Sequence, residues 1–443
     1  MINALAAAGA LMREPPMIRG IGAVVALAAI TVLTWSQATS MGNMPEQRLV
    51  SQLVGAVALT GFAAEFFLAT RHRVLDTLFG GLDKAYVVHK WLGIAAVSLA
   101  VVHFVLMGTS PEGAGHGGGA GGGMGAGHGQ GAGAMDRSQW ASLGAPSVAL
   151  FIGLVVIALV ANRLRYEIWQ TIHKVMVVPY AIGLVHYYGA SSYYPFGLSA
   201  FSLWMDALTL LGVLSALYAI AGYPWLAFSH RYRVTAVHPL GPRAFEITGE
   251  PIGEPLRYKA GQFAFVRFGG LRFPPHPFSL SGAPGEPAVQ FAIKAAGDHT
   301  LRLRDAVRPG DEFALAGPHG RFYGTRSVAH QLWVAAGVGL APFRGMWRAG
   351  IPDGVRVDLF YTYRGEEGLY LDELAALDGV RVHLVDTTRR GRLSPEEIAA
   401  VAEGPVDVYY CGPAALRKAL RVGLPRAGVH VARFHAEDFA FGR

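Results

Sequence analysis

Six long apolar runs in the first half of the chain constrain its fold more than any other feature. Each approaches the ~20 mostly apolar residues that a membrane-spanning helix needs. The runs are Ile18–Trp35, Leu49–Ala69, Tyr86–Gly108, Pro146–Ala161, Ile172–Gly189 and Ala200–Gly222. The fourth run is short and its bounds are the least defined. The sequence therefore predicts an integral membrane protein with a bundle of six transmembrane helices.

The basic residues predict how these helices are oriented. The net charge is +7, but many Lys and Arg side chains flank the apolar runs instead of forming a surface for nucleic acid, so no nucleic-acid partner is expected. The cationic segments precede the first run and follow the second, fourth and sixth. By the positive-inside rule, both termini are expected in the cytoplasm, with the bundle in the plasma or inner membrane.

The loop 113–133 is expected on the opposite, extracytoplasmic side. It has 13 glycines in 21 residues, together with His116, Met124 and His128. Such a composition cannot bury enough apolar surface to fold, so we expect a flexible spacer. The alternative is a transient metal site formed by the two histidines and the methionine.

After His230 the pattern becomes that of a soluble protein. Short alternating strands with Gly and Pro turns predict an antiparallel β-barrel, and from Gln331 strands alternate with helices, which predicts a parallel α/β sheet. The predicted barrel strands are Arg233–Val237, Ala244–Thr248, Phe263–Arg267, Phe278–Ser281 and Val289–Lys294. The predicted parallel strands are Leu332–Ala335, Arg356–Tyr361, Val380–Val385 and Val406–Cys411. The expected domains are residues 1–226 in the membrane, 227–326 in the barrel and 327–443 in the α/β domain.

Four of the 16 histidines lie within the apolar runs, as His89 and His103 in the third and His173 and His186 in the fifth. The spacings of 14 and 13 residues place the members of each helix about 20 Å apart. A haem iron takes one imidazole on each face, so we expect one haem between His89 and His173 and another between His103 and His186. Thirteen residues turn an ideal helix about 140° away, and Pro179 provides a kink that realigns it. The alternative is four separate core histidines.

Two carboxylates also fall within the apolar runs. Glu65 lies about one turn from the cytoplasmic end of the second run and is expected to reach toward water. Asp206, near the outer end of the sixth run, is expected to be a structural partner, with an acceptor pocket as the alternative.

Four motifs in the second half suggest a site for a phosphate-containing ligand. His276–Ser279 follows a strand, and Lys294–Thr300 combines a glycine with a hydroxyl. Leu332–Phe343 gives a strand, a glycine turn and a helix, an order that aims backbone amides at a phosphate, although a plain packing turn has the same pattern. Tyr409–Pro413 repeats the strand-and-turn order at what is expected to be the last strand.

In this order the motifs resemble the ferredoxin–NADP reductase-type module of the ferric reductase and NADPH oxidase superfamily, including its bacterial NADPH-oxidase-like members. His276–Ser279 resembles the FAD motif, Gly337–Phe343 the NAD(P)H pyrophosphate loop, and Cys411–Pro413 the nicotinamide-side motif. The tail Glu437–Phe439 resembles an acidic-x-Phe ending whose aromatic ring covers the flavin. The six helices, with histidines 14 and 13 residues apart, resemble the ferric-reductase-like membrane domain.

The resemblance implies FAD, two haem b and NADPH or NADH as cofactors. It implies that the haem ligands are His89, His103, His173 and His186, and that Ser279, Cys411 and Phe439 lie at the reacting rings. The residues implied to contact FAD or the nucleotide are His276, Pro277, Phe278, Ser279, Gly297, Thr300, Gly337, Gly339, Pro342, Phe343, Arg364, Cys411, Gly412, Pro413 and Phe439. Arg364 favours NADPH because a guanidinium suits a 2′-phosphate, with a plain surface arginine as the alternative.

The expected function is transmembrane electron transfer from cytoplasmic NADPH through FAD and two haems to an extracytoplasmic acceptor. The acceptor is O2, which would give superoxide, or a ferric or cupric ion. The alternative is a haem-containing membrane subunit that passes electrons to a periplasmic partner protein. A transporter or channel is disfavoured, because the second half carries a complete nucleotide module.

Overall fold

The computed structural model describes residues 15–39, 45–108, 137–160, 166–190, 197–269, 274–322 and 327–437. The chain divides into two compact units, one formed mainly by residues up to Tyr223 and the other beginning at Pro224. The loop 113–133 and Phe439 lie outside the described residues.

The first unit is helical. Its helices are α1 (Pro15–Thr39), α2 (Glu46–Ala69), α3 (Arg73–Phe79), α4 (Leu82–Gly108), α5 (Arg137–Ser142), α6 (Gly144–Leu159), α7 (Tyr166–Lys174), α8 (Val177–Ala190), α9 (Ala200–Leu217) and, after a π-helical turn at Tyr218–Gly222, α10 (Tyr223–Leu226). Six segments of the described chain are long and apolar enough to cross a membrane, which confirms the predicted count. The fourth segment, Ser138–Leu159, has 22 residues and is not short, because α5 leads directly into α6.

The fifth segment consists of two helices, and Pro179 explains why. Helix α7 ends at Lys174, Val175 and Met176 form a turn, and α8 begins at Val177. Pro179 therefore lies in the first turn of α8, where its missing N–H leaves no helical hydrogen bond unmade. The break separates His173 from His186, so a 13-residue spacing no longer fixes their relative rotation.

Small side chains and buried hydroxyls hold the bundle together. A Cβ at Gly61 of α2 would lie 3.0 Å from the Cβ of Ala96 in α4, so α2 and α4 approach each other closely. Thr31 Oγ1 is 2.8 Å from Thr60 Oγ1 and accepts a 2.8 Å hydrogen bond from Trp204 Nε1. These contacts tie α1, α2 and α9 together where no water is available to satisfy the hydroxyls.

The second unit contains an antiparallel six-stranded sheet that forms a near-closed barrel. Its strands are β1 (His230–Pro239), β2 (Ala244–Pro251), β3 (Phe263–Phe268), β4 (His276–Ser279), β5 (Val289–Lys294) and β6 (Glu312–His319), in the order β4-β3-β6-β1-β2-β5. Ile247, Phe291 and Leu315 are fully buried in its core. Five of these strands are predicted from the sequence, and β6 is not.

The rest of this unit is a parallel sheet with helices. The strands are β7 (His330–Ala336), β8 (Arg356–Tyr363), β9 (Val380–Asp386), β10 (Pro405–Cys411) and β11 (His430–Glu437), and the helices are α11 (Asp298–Ala306, beside the barrel), α12 (Ala341–Arg348), α13 (Leu371–Ala375), α14 (Pro395–Ala399) and α15 (Ala414–Arg426). The strand order β11-β10-β7-β8-β9 is that of a doubly wound sheet. The expectation that Val406–Cys411 is the last strand is wrong, because β11 follows it and pairs along it in parallel.

Arg344 of α12 joins the parallel sheet to the barrel. Its guanidinium donates to Glu373 Oε2 at 2.8 Å and to Gln290 Oε1 at 2.8 Å, and it lies 3.2 Å from Glu246 Oε2. Burial opposes the charged form, but Tyr370 and the two carboxylates raise the pKa of Arg344. A buried cation with this many partners fixes how the two sheets meet.

Candidate functional site

The four membrane histidines form two pairs in the structure. The rings of His89 and His173, the first pair, have centroids 5.9 Å apart at 72°, and those of His103 and His186, the second pair, are 6.2 Å apart at 68°. Two imidazoles on opposite sides of one metal ion, with bonds of about 2.0–2.1 Å, have ring centroids about 6.3 Å apart. Both pairs therefore have the separation that axial ligands of one iron require.

The second pair has its outer ring nitrogens committed to backbone carbonyls. His103 Nδ1–H donates to Ser51 O at 2.7 Å, and His186 Nδ1–H donates to Trp140 O at 3.2 Å. Because a carbonyl only accepts, Nδ1 carries the proton in each ring and Nε2 keeps its lone pair. This tautomer is the one that binds a metal through Nε2.

Two glycines make room for the rings of the second pair. A Cβ at Gly55 would lie 2.9 Å from His103 Nδ1, and a Cβ at Gly144 would lie 3.1 Å from His186 Cε1. Larger residues at these positions would push the imidazoles out of their present orientation. The space is therefore part of how the chain presents these two ligands.

The first pair is supported differently. His89 Nδ1 lies 2.7 Å from Glu65 Oε2, and His173 stacks on Trp169 with centroids 5.1 Å apart at 16°. The Nδ1 atom of His173 is buried and has no hydrogen-bond partner among the described residues. The expectation that Glu65 reaches toward water is wrong, because its side chain is only 11% exposed and faces His89.

The donor set fits haem better than a bare metal ion. No group of three or more His, Cys, Asp or Glu side chains in the described residues is arranged to hold a metal ion. Two imidazoles are too few for a protein-only metal site, but they complete the coordination of an iron already held by a porphyrin. The two pairs are therefore sites that two haems would fit.

Asp206 has a structural partner near the second pair. Tyr188 Oη donates to Asp206 Oδ1 at 2.7 Å. Tyr188 follows His186 by two residues in the sequence. The contact agrees with the structural role expected for Asp206.

In the second unit, His276–Ser279 is the edge strand β4 of the barrel. It pairs with β3, with Ser279 opposite Phe263 and His276 opposite Val266. The ring of His276 stacks on His299, with centroids 3.5 Å apart at 14°. Burial, together with the neighbouring His276, lowers the pKa of His299 to about 3, so His299 is neutral at physiological pH.

Gly297 and Thr300 form the start of α11, directly after β5. Thr300 Oγ1 donates to Gly297 O at 3.1 Å and accepts from the amides of Ala296 and Gly297 at 3.1 and 3.2 Å. The hydroxyl thus shapes the turn, while the space in front of Gly297 is open for 4 Å around an added Cβ. The backbone at Gly297 is therefore open to solvent and to a ligand.

The predicted nucleotide turn lies at the carboxyl end of the parallel sheet. Gly337 has φ +54 and nothing within 4 Å of an added Cβ, so the strand end is open to a phosphate. Gly339 packs against the carbonyl of Cys411, which leaves no space for a side chain, and Cys411 itself is 3% exposed. Strands β7 and β10 pair in parallel, so their carboxyl ends lie at one edge of the sheet, with Gly412 and Pro413 beside them.

Pro342 and Phe343 are both buried in the α/β part of the second unit. Pro342 is buried in the first turn of α12, and Phe343 is fully buried between Phe322 and Trp333. The structure thus assigns Phe343 to the core rather than to a surface that a nucleotide would contact.

Arg364 directly follows β8 and its side chain is exposed. The next residue, Gly365, donates its amide to Asp386 Oδ1 at 3.0 Å, and this bond lowers the pKa of Asp386. A fixed turn therefore presents Arg364 at the carboxyl end of the sheet, beside the other nucleotide motifs.

Comparison with known proteins agrees with this division. The family model for a ferric reductase like transmembrane component matches residues 54–184, and the model for an FAD-binding domain matches residues 231–323. Ferredoxin–NADP reductase B of Sorangium cellulosum is 30% identical over 239 residues, which cover 46% of this chain and 96% of the relative.

Other proteins are similar to the second half of the chain over shorter or less conserved stretches. The 2-halobenzoate 1,2-dioxygenase electron transfer component of Burkholderia cepacia is 32% identical over 198 residues, and these cover 41% of this chain but only 58% of the relative. The crystal structure of a ferredoxin NADP+ reductase from Neisseria gonorrhoeae with bound FAD and NADP covers 47% of this chain and 97% of its own, at 20% identity and a TM-score of 0.42.

The fold and these matches define an NAD(P)H oxidoreductase with an FAD domain of the ferredoxin–NADP reductase type and a multi-pass membrane domain. The second half of the chain belongs to the ferredoxin–NADP reductase family, and its combination with a ferric reductase like transmembrane component in one chain matches a ferric reductase and NADPH oxidase-like fusion.

Proposed function

We propose that this protein carries electrons from cytoplasmic NADPH through FAD and two b-type haems to an acceptor on the far side of the plasma or inner membrane. The observation that supports this most is the two histidine pairs, which lie at two levels along α4 and the α7–α8 segment, with ring separations that two imidazoles on one iron would have. A single haem-binding pair would bridge only part of a bilayer about 30 Å thick.

The residues of the second unit have defined roles in this proposal. When bound, FAD accepts the two electrons of a hydride and releases them one at a time, and each haem carries one electron. Ser279 and Phe278 of β4 contact the flavin, and Phe439 covers its ring. Gly337, with its open left-handed turn, binds a nucleotide phosphate.

The nucleotide is NADPH in this proposal. Arg364 binds the 2′-phosphate, since a guanidinium matches a phosphate through paired hydrogen bonds. Cys411, at the end of β10, lies beside the nicotinamide. Flavin reduction at equal rates by NADPH and NADH would contradict this role of Arg364.

The acceptor is O2 or a ferric or cupric ion. With both termini in the cytoplasm, a membrane potential that is negative inside favours outward electron transfer by roughly 2.3 kcal/mol per charge for each 100 mV crossed. A periplasmic protein as the acceptor is the competing outcome, and it would show as electron delivery only when that protein is added.

The test is an absorption spectrum of the purified full chain, recorded anaerobically before and after NADPH. Reduced bis-histidine haem bands after NADPH are expected, and their decay on adding air or a ferric chelate identifies the acceptor. Flavin bleaching without any haem band would refute the haem assignment.

The variant His103→Leu separates the steps of this route. It removes one ligand of the second pair, so about half of the haem absorbance should be lost while NADPH still reduces the flavin. His72→Leu, an exposed histidine of the same unit, is the matched control and should retain both haems. Loss of flavin reduction together with haem in His103→Leu would instead indicate misfolding.

A further inference from the structure

Glu65 places a carboxylate in an apolar environment, where burying a charged group costs free energy. It lies in α2, within a segment long and apolar enough to span a membrane, and its side chain is 11% exposed. Its Oε2 atom is 2.7 Å from His89 Nδ1, and its Oε1 atom has no hydrogen-bond partner among the described residues. Ionisable groups at such depth are retained for a function more often than for stability.

The chain leaves space for this carboxylate. Gly93 lies on α4, one turn beyond His89, and a Cβ there would come within 3.2 Å of Glu65 Oε2 and 3.5 Å of its Cδ. A residue with a side chain at position 93 would therefore displace the carboxylate from the imidazole. The contact between Glu65 and His89 depends on two helices and one glycine.

The spacing along α2 repeats the spacing along α4. Ser51 and Glu65 are 14 residues apart, as are His103 and His89, and each α2 residue supports the histidine at its own level. The support differs in charge, because His103 donates to a neutral carbonyl whereas His89 faces a carboxylate. Among the described residues, His89 is the one histidine of the two pairs with a carboxylate partner.

A carboxylate on the outer nitrogen makes an imidazole a stronger donor to a metal. A ferric iron carries one more positive charge than a ferrous iron, so a nearby negative charge stabilises the ferric form more. The first pair therefore favours ferric iron relative to the second pair, whose rings face neutral carbonyls.

We propose that Glu65 is a positioning residue that sets the direction of electron transfer, because its carboxylate, 2.7 Å from His89 Nδ1, lowers the reduction potential at the first pair below that at the second. This inference rests on the proposed haem ligation. With haem bound at both pairs, one electron would pass from an iron held by His89 and His173, which would be oxidised, to an iron held by His103 and His186, which would be reduced. No bond would form or break in this step.

The test is a spectroelectrochemical titration of the haem-loaded full chain. Wild type should give two one-electron waves, and His103→Leu identifies the wave of the first pair as the one that remains. In Glu65→Gln, the ferric-to-ferrous ratio of that wave at a fixed potential should fall at least tenfold, which corresponds to a rise of about 59 mV. The wave of the second pair should not move.

Two further variants and one control sharpen the result. Gly93→Ala keeps the carboxylate but displaces it, and should shift the same wave in the same direction. Glu65→Asp keeps the charge and should restore much of the wild-type potential. Glu46→Gln changes an exposed carboxylate in the first turn of the same helix and should shift neither wave.

The outcomes are distinguishable. If Glu65→Gln retains both haems and the first wave does not move, the inference is wrong. If Glu65→Gln loses haem, Gly93→Ala decides, since an unshifted wave there reduces Glu65 to a structural support and overturns the inference. Absence of haem in the wild-type protein contradicts the proposed function instead.

Discussion

Replacing Arg344 by methionine should destabilise the second unit strongly. The guanidinium lies between the barrel and the parallel sheet, 9% exposed, within 3.2 Å of Glu246 and 2.8 Å of Glu373. Removing one partner of a buried ion pair costs about 3–5 kcal/mol, because the remaining charge is left uncompensated. The lower end applies here, since Tyr370 still donates to Glu246 and Glu373 is 33% exposed.

A loss of about 3 kcal/mol corresponds to a melting temperature lower by about 6–12 °C for a domain of ~150–250 residues. The assay is thermal unfolding of the detergent-solubilised full chain, followed by the fluorescence of released flavin. The control is Arg348→Met on the same helix, whose side chain is 28% exposed, contacts Glu286 at 3.3 Å and shares the acceptor Gln290 Oε1 with Arg344. Such a surface pair is worth about 0–1 kcal/mol.

Two results would refute this reasoning. One is Arg344→Met melting within about 2 °C of wild type, which would mean that the buried ion pairs contribute little net free energy. The other is an equal loss in Arg348→Met, which would mean that any charge on this helix has the same effect. Adding Glu246→Gln to Arg344→Met should recover part of the loss, since it removes the uncompensated charge.

Three further outcomes are expected. Burial holds the pKa of His299 near 3, whereas its value in the unfolded chain is about 6.5, so the folded state binds fewer protons and the free energy of unfolding falls as the pH falls from 6.5 toward 3. In thermal melts, His299→Gln should reduce the loss of unfolding free energy between pH 7 and pH 5 by about 1–2 kcal/mol. Equal dependence of stability on pH in the variant and the wild type would contradict this. Gly144→Val should displace the ring of His186 and lower haem content, whereas Gly153→Val on the same helix, where nothing lies within 4 Å, should not; retention of both haems in both variants would show that the ring tolerates the added volume. Gly339→Ala should weaken NADPH binding at unchanged FAD content, because its Cβ meets the carbonyl that ends β10, and an unaltered nucleotide titration would remove this turn from the binding site.

The elements with strong patterns are those that the sequence predicts. The apolar runs and alternating strands correspond to helices and strands with ends shifted by a few residues. Strand β6 was not predicted because it ends in Gly317 and Pro318, a pair typical of a turn. Strand β11 was not predicted because edge strands are only half buried and alternate weakly, as its mixture of charged and apolar residues shows.

The candidate site is predictable only in part, because some of the residues that contact each other in it are far apart in the sequence. The depths of the four histidines follow from the helical rise, so both pairs can be proposed from spacing alone. Which side chain faces the back of each ring depends on helix rotation and on contacts between helices. Glu65 and His89 are 24 residues apart, and nothing local to either residue indicates the other.

The two segments that carry the histidine pairs differ in stiffness. Helix α4 is continuous over 27 residues and carries both His89 and His103. A tilt or rotation of this helix therefore moves both histidines at once. The opposing segment is interrupted by the turn at Val175 and Met176, so α7 and α8 can change orientation independently. Substitutions that shift α4 should therefore alter both histidine pairs together, whereas those in α7 or α8 should alter one pair and leave the other in place.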